Sequence, residues 1–158
     1  MDKQAFEQLV ERSGPKLLEY LRLSLPSLSD AQDVYQESLL SAWQSCHRYD
    51  GRAQPTTWLI AIAKRRIADF YRSRTVAEPL DETAPQSADF TGSVDLKTTL
   101  EKLSPADQRL LFLIFQVGLT YQEIADLEDI PLGTVKSRFH TLKNRLRTML
   151  EEPNASRA

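Results

Sequence analysis

Apolar residues recur at steps of three and four along most of this chain, the period of one face of an α-helix. Phe6, Leu9, Val10, Leu17, Leu18, Leu21 and Leu25 set out a first helical zone, with Gly14-Pro15 as a candidate break. Ser29-Asp30-Ala31-Gln32 reads as a capping box that opens a helix reaching Cys46, with Ala31, Tyr35, Leu39, Ala42 and Cys46 as its buried stripe. The stretch Tyr49-Asp50-Gly51-Arg52-Ala53-Gln54-Pro55 is a loop. Thr57 then caps a helix to Arg74 that packs through Leu59, Ala63, Ile67 and Phe70.

The pattern changes after Arg74. Residues 75–94 are acidic and carry Pro, Ser, Thr and Gly with few large apolar side chains, a linker composition. Helical periodicity resumes over 95–152. Ser104-Pro105 is a cap followed by proline at the first helical position, Gly118 is placed to end that helix, and Thr120-Tyr121-Gln122-Glu123 is a second capping box. Ile130-Pro131-Leu132-Gly133 makes a tight break before a last helix from Thr134 to Leu150, with Val135, Phe139, Leu142, Leu146 and Met149 facing a core. There is no internal repeat and no persuasive strand pattern. The fold class expected is all-α: two small helical domains, 1–74 and 95–152, joined by a flexible acidic linker, the second containing a helix-turn-helix.

Composition narrows the function. The chain has 158 residues, 41% hydrophobic and 27% charged, which suits a globular protein. Cys46 is the only cysteine, so an intramolecular disulfide is impossible, and His47 and His140 lie far apart in sequence. No metal site or cofactor is expected. A Gly-rich phosphate loop, Cys/His metal spacing and a nucleophile–base pair are all missing, so the chain is not read as an enzyme. Met1-Asp2-Lys3-Gln4 begins no signal peptide, and the longest apolar run, Leu110–Phe115, is far too short to span a bilayer. A cytoplasmic protein without membrane insertion is expected.

The net charge of −2 argues weakly against a nucleic-acid partner, but its distribution argues for one. Five basic residues face one acid, Asp69, between Lys64 and Arg74, and five basic residues stand with no acid between Pro131 and Leu150. In the last helix Ser137, His140, Thr141 and Asn144 lie opposite the core stripe. Lys136, Lys143 and Arg147 flank them on one side, Arg138 and Arg145 on the other. Short polar groups at the centre approach base edges while long cations reach the phosphate walls. The first turns of such a helix usually meet the bases, which favours Thr134, Lys136, Ser137 and His140; the bland alternative is a solvated basic face. In the helix after the loop, Trp58, Arg65 and Arg72 align at steps of seven, beside the small Ala61 and Ala68. An aromatic ring beside aligned guanidinium groups suits a nucleic-acid strand with unstacked bases, and a core-edge tryptophan with solvated arginines is the alternative. Asp33, Glu37, Leu40 and Gln44 point away from the buried side of their helix, either to dock a basic partner or as a plain solvated face.

These residues resemble a family. Asp30-Ala31-Gln32-Asp33-Val34-Tyr35-Gln36-Glu37-Ser38-Leu39-Leu40-Ser41-Ala42-Trp43 resembles the second-region signature of extracytoplasmic-function sigma factors. Thr57-Trp58-Leu59-Ile60-Ala61-Ile62-Ala63 with Asp69-Phe70-Tyr71-Arg72 resembles their promoter-melting helix. Leu103-Ser104-Pro105, Thr120-Tyr121-Gln122-Glu123-Ile124-Ala125 and Gly133-Thr134-Val135-Lys136-Ser137-Arg138 resemble their fourth-region helix-turn-helix. The resemblance implies a factor that binds core RNA polymerase and directs promoter recognition and melting. It places Asp33, Gln36 and Glu37 on the polymerase, beside the outward Leu40, which is expected to join that contact. It places Tyr49, Arg52, Gln54, Trp58, Lys64, Arg65 and Arg72 on the minus-ten element, and Thr134, Lys136, Ser137, Arg138, His140 and Thr141 on the minus-thirty-five element. It also implies a linker threading the RNA exit path and an anti-sigma partner. Arg65 departs from the asparagine frequent at its position, which changes the base edge it can read. Two other readings stay open. A simple helix-turn-helix regulator leaves the Trp58–Arg72 stripe unexplained, and basic residues on both DNA faces argue against a sigma mimic that titrates an anti-sigma factor.

Overall fold

The structure is a computed structural model that describes residues 1–74 and 94–155, and every regular element in it is helical. The expected linker therefore lies outside the described residues, except for Val94, which opens a helix. The chain divides into two compact units, Met1–Pro85 and Gln86–Ala158.

In the first unit α1 (Lys3–Ser24), α2 (Leu28–Ser45) and α3 (Pro55–Arg74) pack pairwise. Leu17, Leu21, Leu25, Ala31, Val34, Ala42, Leu59, Ile60 and Ala63 form the core, each almost wholly removed from water. Asp2 caps α1 by accepting from the Ala5 amide at 2.8 Å. The expected break at Gly14-Pro15 does not occur, and α1 runs straight through both residues. Proline clashes partly with the Cβ of the residue before it, and glycine has none. Glycine also admits α2: a Cβ built on Gly14 would lie 2.5 Å from the Tyr35 hydroxyl oxygen.

The cap of α2 is Ser27, two residues before the Ser29 box read from the sequence. Its Oγ accepts from the Asp30 amide at 3.1 Å and donates to the Asp30 carboxylate at 2.8 Å, so Asp30 takes the place assigned to Gln32. The buried stripe of α2 is Ala31, Val34, Ser38, Ala42 and Cys46; Tyr35 and Leu39 are half-buried at its edge. This rotation follows from α2 packing against both α1 and α3, which widens its buried face and centres it on smaller side chains. A single 3-10 turn, Cys46–Arg48, closes α2.

Thr57 does not cap α3, which already starts at Pro55, with the Trp58 amide donating to the Gln54 carbonyl at 3.0 Å. The Thr57 hydroxyl is buried without a protein partner, while Thr56 donates to Ser13 of α1 at 3.0 Å. The far end of α3 is tied down twice. Tyr71 donates to the Ser24 carbonyl, and Arg74 lies 4.1 Å above the Phe70 ring and 3.1 Å from Asp30.

The second unit holds α4 (Val94–Glu101), α5 (Pro105–Leu111), α6 (Tyr121–Glu128) and α7 (Leu132–Ala155). Ser104 caps α5 by accepting from the Asp107 amide at 3.2 Å, with Pro105 next. A wide-turned π segment, Phe112–Val117, continues α5 and ends at Gly118, whose φ of +82° few residues but glycine adopt without strain. The Leu119 amide reaches back to the Leu113 carbonyl at 3.0 Å. Leu103, Leu110, Leu113, Ile124, Val135 and Leu142 fill this core.

The capping box of α6 is complete: the Glu123 amide donates to Thr120 Oγ1 at 3.1 Å and the Thr120 amide to Glu123 Oε1 at 3.0 Å. The turn that follows differs from the expected one. Asp129, at φ +55°, makes the left-handed step, and α7 starts at Leu132 rather than Thr134. The Thr134 and Val135 amides both donate to the Pro131 carbonyl, so Gly133 sits inside the first turn. Aspartate tolerates the left-handed region, and so the break needs no glycine.

Candidate nucleic-acid interface

The second unit presents α7. Val135 and Leu142 are buried and Phe139, Leu146 and Met149 are half-buried, the stripe expected from the periodicity. On the other side Lys136, Ser137, Arg138, His140 and Thr141 are exposed, whereas Thr134 is half-buried. Asn144 Nδ2 lies 3.3 Å from His140 Nε2, so the two side chains act as a pair on that face. Arg145 is also exposed but turns toward Asp107 on α5, 3.3 Å away. Phe115 and Tyr121 meet Phe139 at ring-centroid distances of 6.2 and 5.7 Å and fix the adjoining flank.

In the first unit the 49–55 loop is internally braced. The Tyr49 ring stacks on Trp58 at 4.6 Å and 28°, and its hydroxyl donates to the Ala53 carbonyl. Burial first, and the Asp50 carboxylate second, raise the Tyr49 pKa above its ordinary value. Gly51 makes the left-handed step at φ +80°. Asp50 accepts from the Arg52 amide at 3.0 Å and pairs with the Arg52 side chain at 3.3 Å, which is 91% exposed. Gln54 is exposed at the start of α3. Trp58 and Lys64 are half-buried along it, while Arg65 and Arg72 are exposed, with the small Ala61 and Ala68 also at the surface.

The periodicity missed part of this surface. A cavity of about 400 Å³ lies between α2 and α3, lined by Ser41, Gln44, Arg48, Arg65, Arg66 and Asp69 among others. Arg66 spans it, donating from Nε to Ser41 Oγ at 3.0 Å. Nothing in the heptad alignment of Trp58, Arg65 and Arg72 points to Arg66, because its partner is on another helix.

The outer face of α2 carries Asp33, Gln36 and Glu37, all exposed, and Leu40 at 58% exposure. Trp43, unassigned from the sequence, extends that face at 41% exposure, its ring 5.1 Å from Phe6. Among the described residues no His, Cys, Asp and Glu group gathers to hold a metal ion, and no helix is long and apolar enough to cross a membrane.

A capped helix-turn-helix with a cationic outer helix, in a chain whose other unit bears a basic helix beside a braced aromatic loop, is the arrangement of a nucleic-acid-binding protein. Comparison with known proteins narrows this. Residues 9–76 match the family described as Sigma-70 region 2, and residues 93–146 match Sigma-70, region 4. The ECF RNA polymerase sigma factor RpoE of Cereibacter sphaeroides is 31% identical over 156 residues, covering 92% of this chain and 86% of that protein. The ECF RNA polymerase sigma-E factor of Haemophilus influenzae is 30% identical, covering 95% and 87%. In fold, the chain is similar to the sigma factor RpoE solved in complex with the anti-sigma factor NepR from Bartonella quintana, with a TM-score of 0.71 at 22% identity over 94% of this chain and 98% of that one. The chain belongs to the ECF RNA polymerase sigma factors, and its function is that of a promoter-directing RNA polymerase sigma factor.

Proposed function

We propose that three surfaces divide the work. Asp33, Gln36, Glu37 and Leu40 on α2 dock the chain to a basic surface of core RNA polymerase. An acidic face around one exposed leucine supplies steering charge and an apolar anchor. The 49–55 loop and α3 hold the opened minus-ten strand through Arg52, Gln54, Lys64, Arg65 and Arg72, with the Tyr49–Trp58 stack as the aromatic wall. Lys136, Ser137, Arg138, His140 and Thr141 on α7, with Thr134 behind them, read the minus-thirty-five element in the major groove. The single observation that carries the proposal is that two cationic helix faces, on α3 and α7, each stand opposite a well-filled core.

The chain has no catalysis of its own; polymerase makes the RNA. It works in the cytoplasm, where polymerase and promoter meet. A relative of the same fold is solved with an anti-sigma factor, which supports an anti-sigma partner here too. Run-off transcription with core polymerase, the full chain and a genomic fragment library tests the assignment. Promoter-specific transcripts that depend on the chain are expected. Arg72→Glu lowers open-complex formation while leaving core binding intact, and equal loss of both removes Arg72 from the strand-holding face. Glu37→Lys weakens core binding, and unchanged binding removes α2 from the polymerase contact.

A further inference from the structure

Asp69 is the only acid on the basic stretch of α3 between Lys64 and Arg74. Its two carboxylate oxygens go to two different arginines. Oδ1 lies 3.4 Å from Arg72 Nη1, one turn further along, and Oδ2 lies 3.8 Å from Arg66 Nη1, one turn back. Arg66 is in turn held from α2 by Ser41. A relay therefore runs Ser41–Arg66–Asp69–Arg72, from a packed helix to a guanidinium that is 77% exposed. Asp69 is itself 52% exposed on the rim of the α2–α3 cavity, so it does not serve the core. A carboxylate there opposes any phosphate that approaches Arg65, Arg66 or Arg72, and it holds Arg72 in one direction.

We infer that Asp69 is a positioning residue for strand discrimination: it aims Arg72 and Arg66 and, by its charge, lowers the affinity of α3 for nucleic-acid backbone of any sequence. This rests on the reading of α3 as the strand-holding face. An arginine surface without an acid binds every single strand, because phosphate attraction carries no sequence information. With Asp69 in place, backbone binding is weakened for all strands. A strand whose bases fit the face recovers the loss, since its contacts meet an arginine already aimed.

The test uses the full chain with core polymerase and two labelled single strands. One is the non-template strand of a promoter identified by run-off transcription, the other its scrambled counterpart. Asp69→Asn is expected to tighten the scrambled strand about 3- to 5-fold, the scale of one exposed charge, and the promoter strand by less, so that the ratio of affinities falls. Asp69→Glu keeps the charge and is expected to keep the ratio near wild type. Equal tightening of both strands, or a ratio unchanged in Asp69→Asn, overturns the inference, because removal of charge without positioning gives that result. Arg72→Glu separates the two levels of the argument. If it weakens binding while Asp69→Asn leaves the ratio alone, only the role of Asp69 falls. If it changes neither strand, the strand-holding reading of α3 falls and Asp69 with it.

Discussion

The contact of Gly14 with Tyr35 offers a quantitative test of how α1 and α2 fit. Gly14 faces Tyr35, and a methyl group at Gly14 would sit 2.5 Å from the tyrosine oxygen but at an ordinary 3.7 Å from both the Tyr35 ring carbon Cζ and Val10 Cγ1. The clash is therefore with one atom. Gly14→Ala gains about 0.5–1 kcal/mol of helix propensity. Forcing the hydroxyl aside costs about 1–3 kcal/mol, the usual range for overpacking. A further small cost comes from placing a Cβ before Pro15. The net expectation is a destabilisation between about 0 and 2.5 kcal/mol. Tyr35→Phe removes the offending oxygen, and in that background Gly14→Ala is expected to cost less than about 0.5 kcal/mol. The chain's two tryptophans, Trp43 and Trp58, are both in the first unit, so urea unfolding followed by tryptophan fluorescence reports this unit alone. A coupling energy below about 0.3 kcal/mol between the two substitutions refutes the close approach, because additivity within that margin is the behaviour of residues that do not touch.

Other outcomes follow from single sites. Asp129→Val is expected to destabilise the α6–α7 turn by about 1–2 kcal/mol and Asp129→Gly to leave it as stable or more so, read as amide hydrogen exchange in those two helices; equal exchange rates in both variants refute the left-handed step. Lys136→Ala is expected to lower the salt dependence of upstream-element binding by close to one unit of slope, measured by titration at several salt concentrations, and an unchanged slope takes Lys136 off the phosphates. Tyr49 has a pKa raised above 10.0, so the folded state holds its proton more tightly than the unfolded state. The stability this gives is complete below pH 10 and lost as pH climbs through the folded value. Tyr49→Phe is expected to flatten that part of the urea-midpoint profile, and an identical profile refutes the upward shift.

Much of this protein was legible before any coordinates. The core stripe of α7, the Thr120–Glu123 capping box, the Ser104-Pro105 start and the Gly118 stop all rest on interactions within four or five residues, which periodicity and cap chemistry encode directly. The outward placement of Asp33, Glu37, Leu40 and Gln44 was legible for the same reason. The errors share a cause as well. Gly14-Pro15 reads locally as a break, yet α1 continues, since glycine offers Pro15 no Cβ to clash with, and α2 packs where that Cβ is missing. Ser29 and Thr57 are good caps by type, but Ser27 and the Pro55 start win where the chain enters its packing.

The site divides along the same line. Sequence by itself determined which helices are basic and which faces they turn outward, because helix geometry converts spacing into direction. Only the tertiary structure decided that Tyr49 closes on Trp58, that Arg145 turns back to Asp107, and that Arg66 is held by Ser41 across a cavity. The last two join residues 38 and 25 positions apart, and no local period relates them. Their partners are set by how whole helices come together, α7 beside α5 in one unit and α3 against α2 in the other, and those distances exist only once each core has formed.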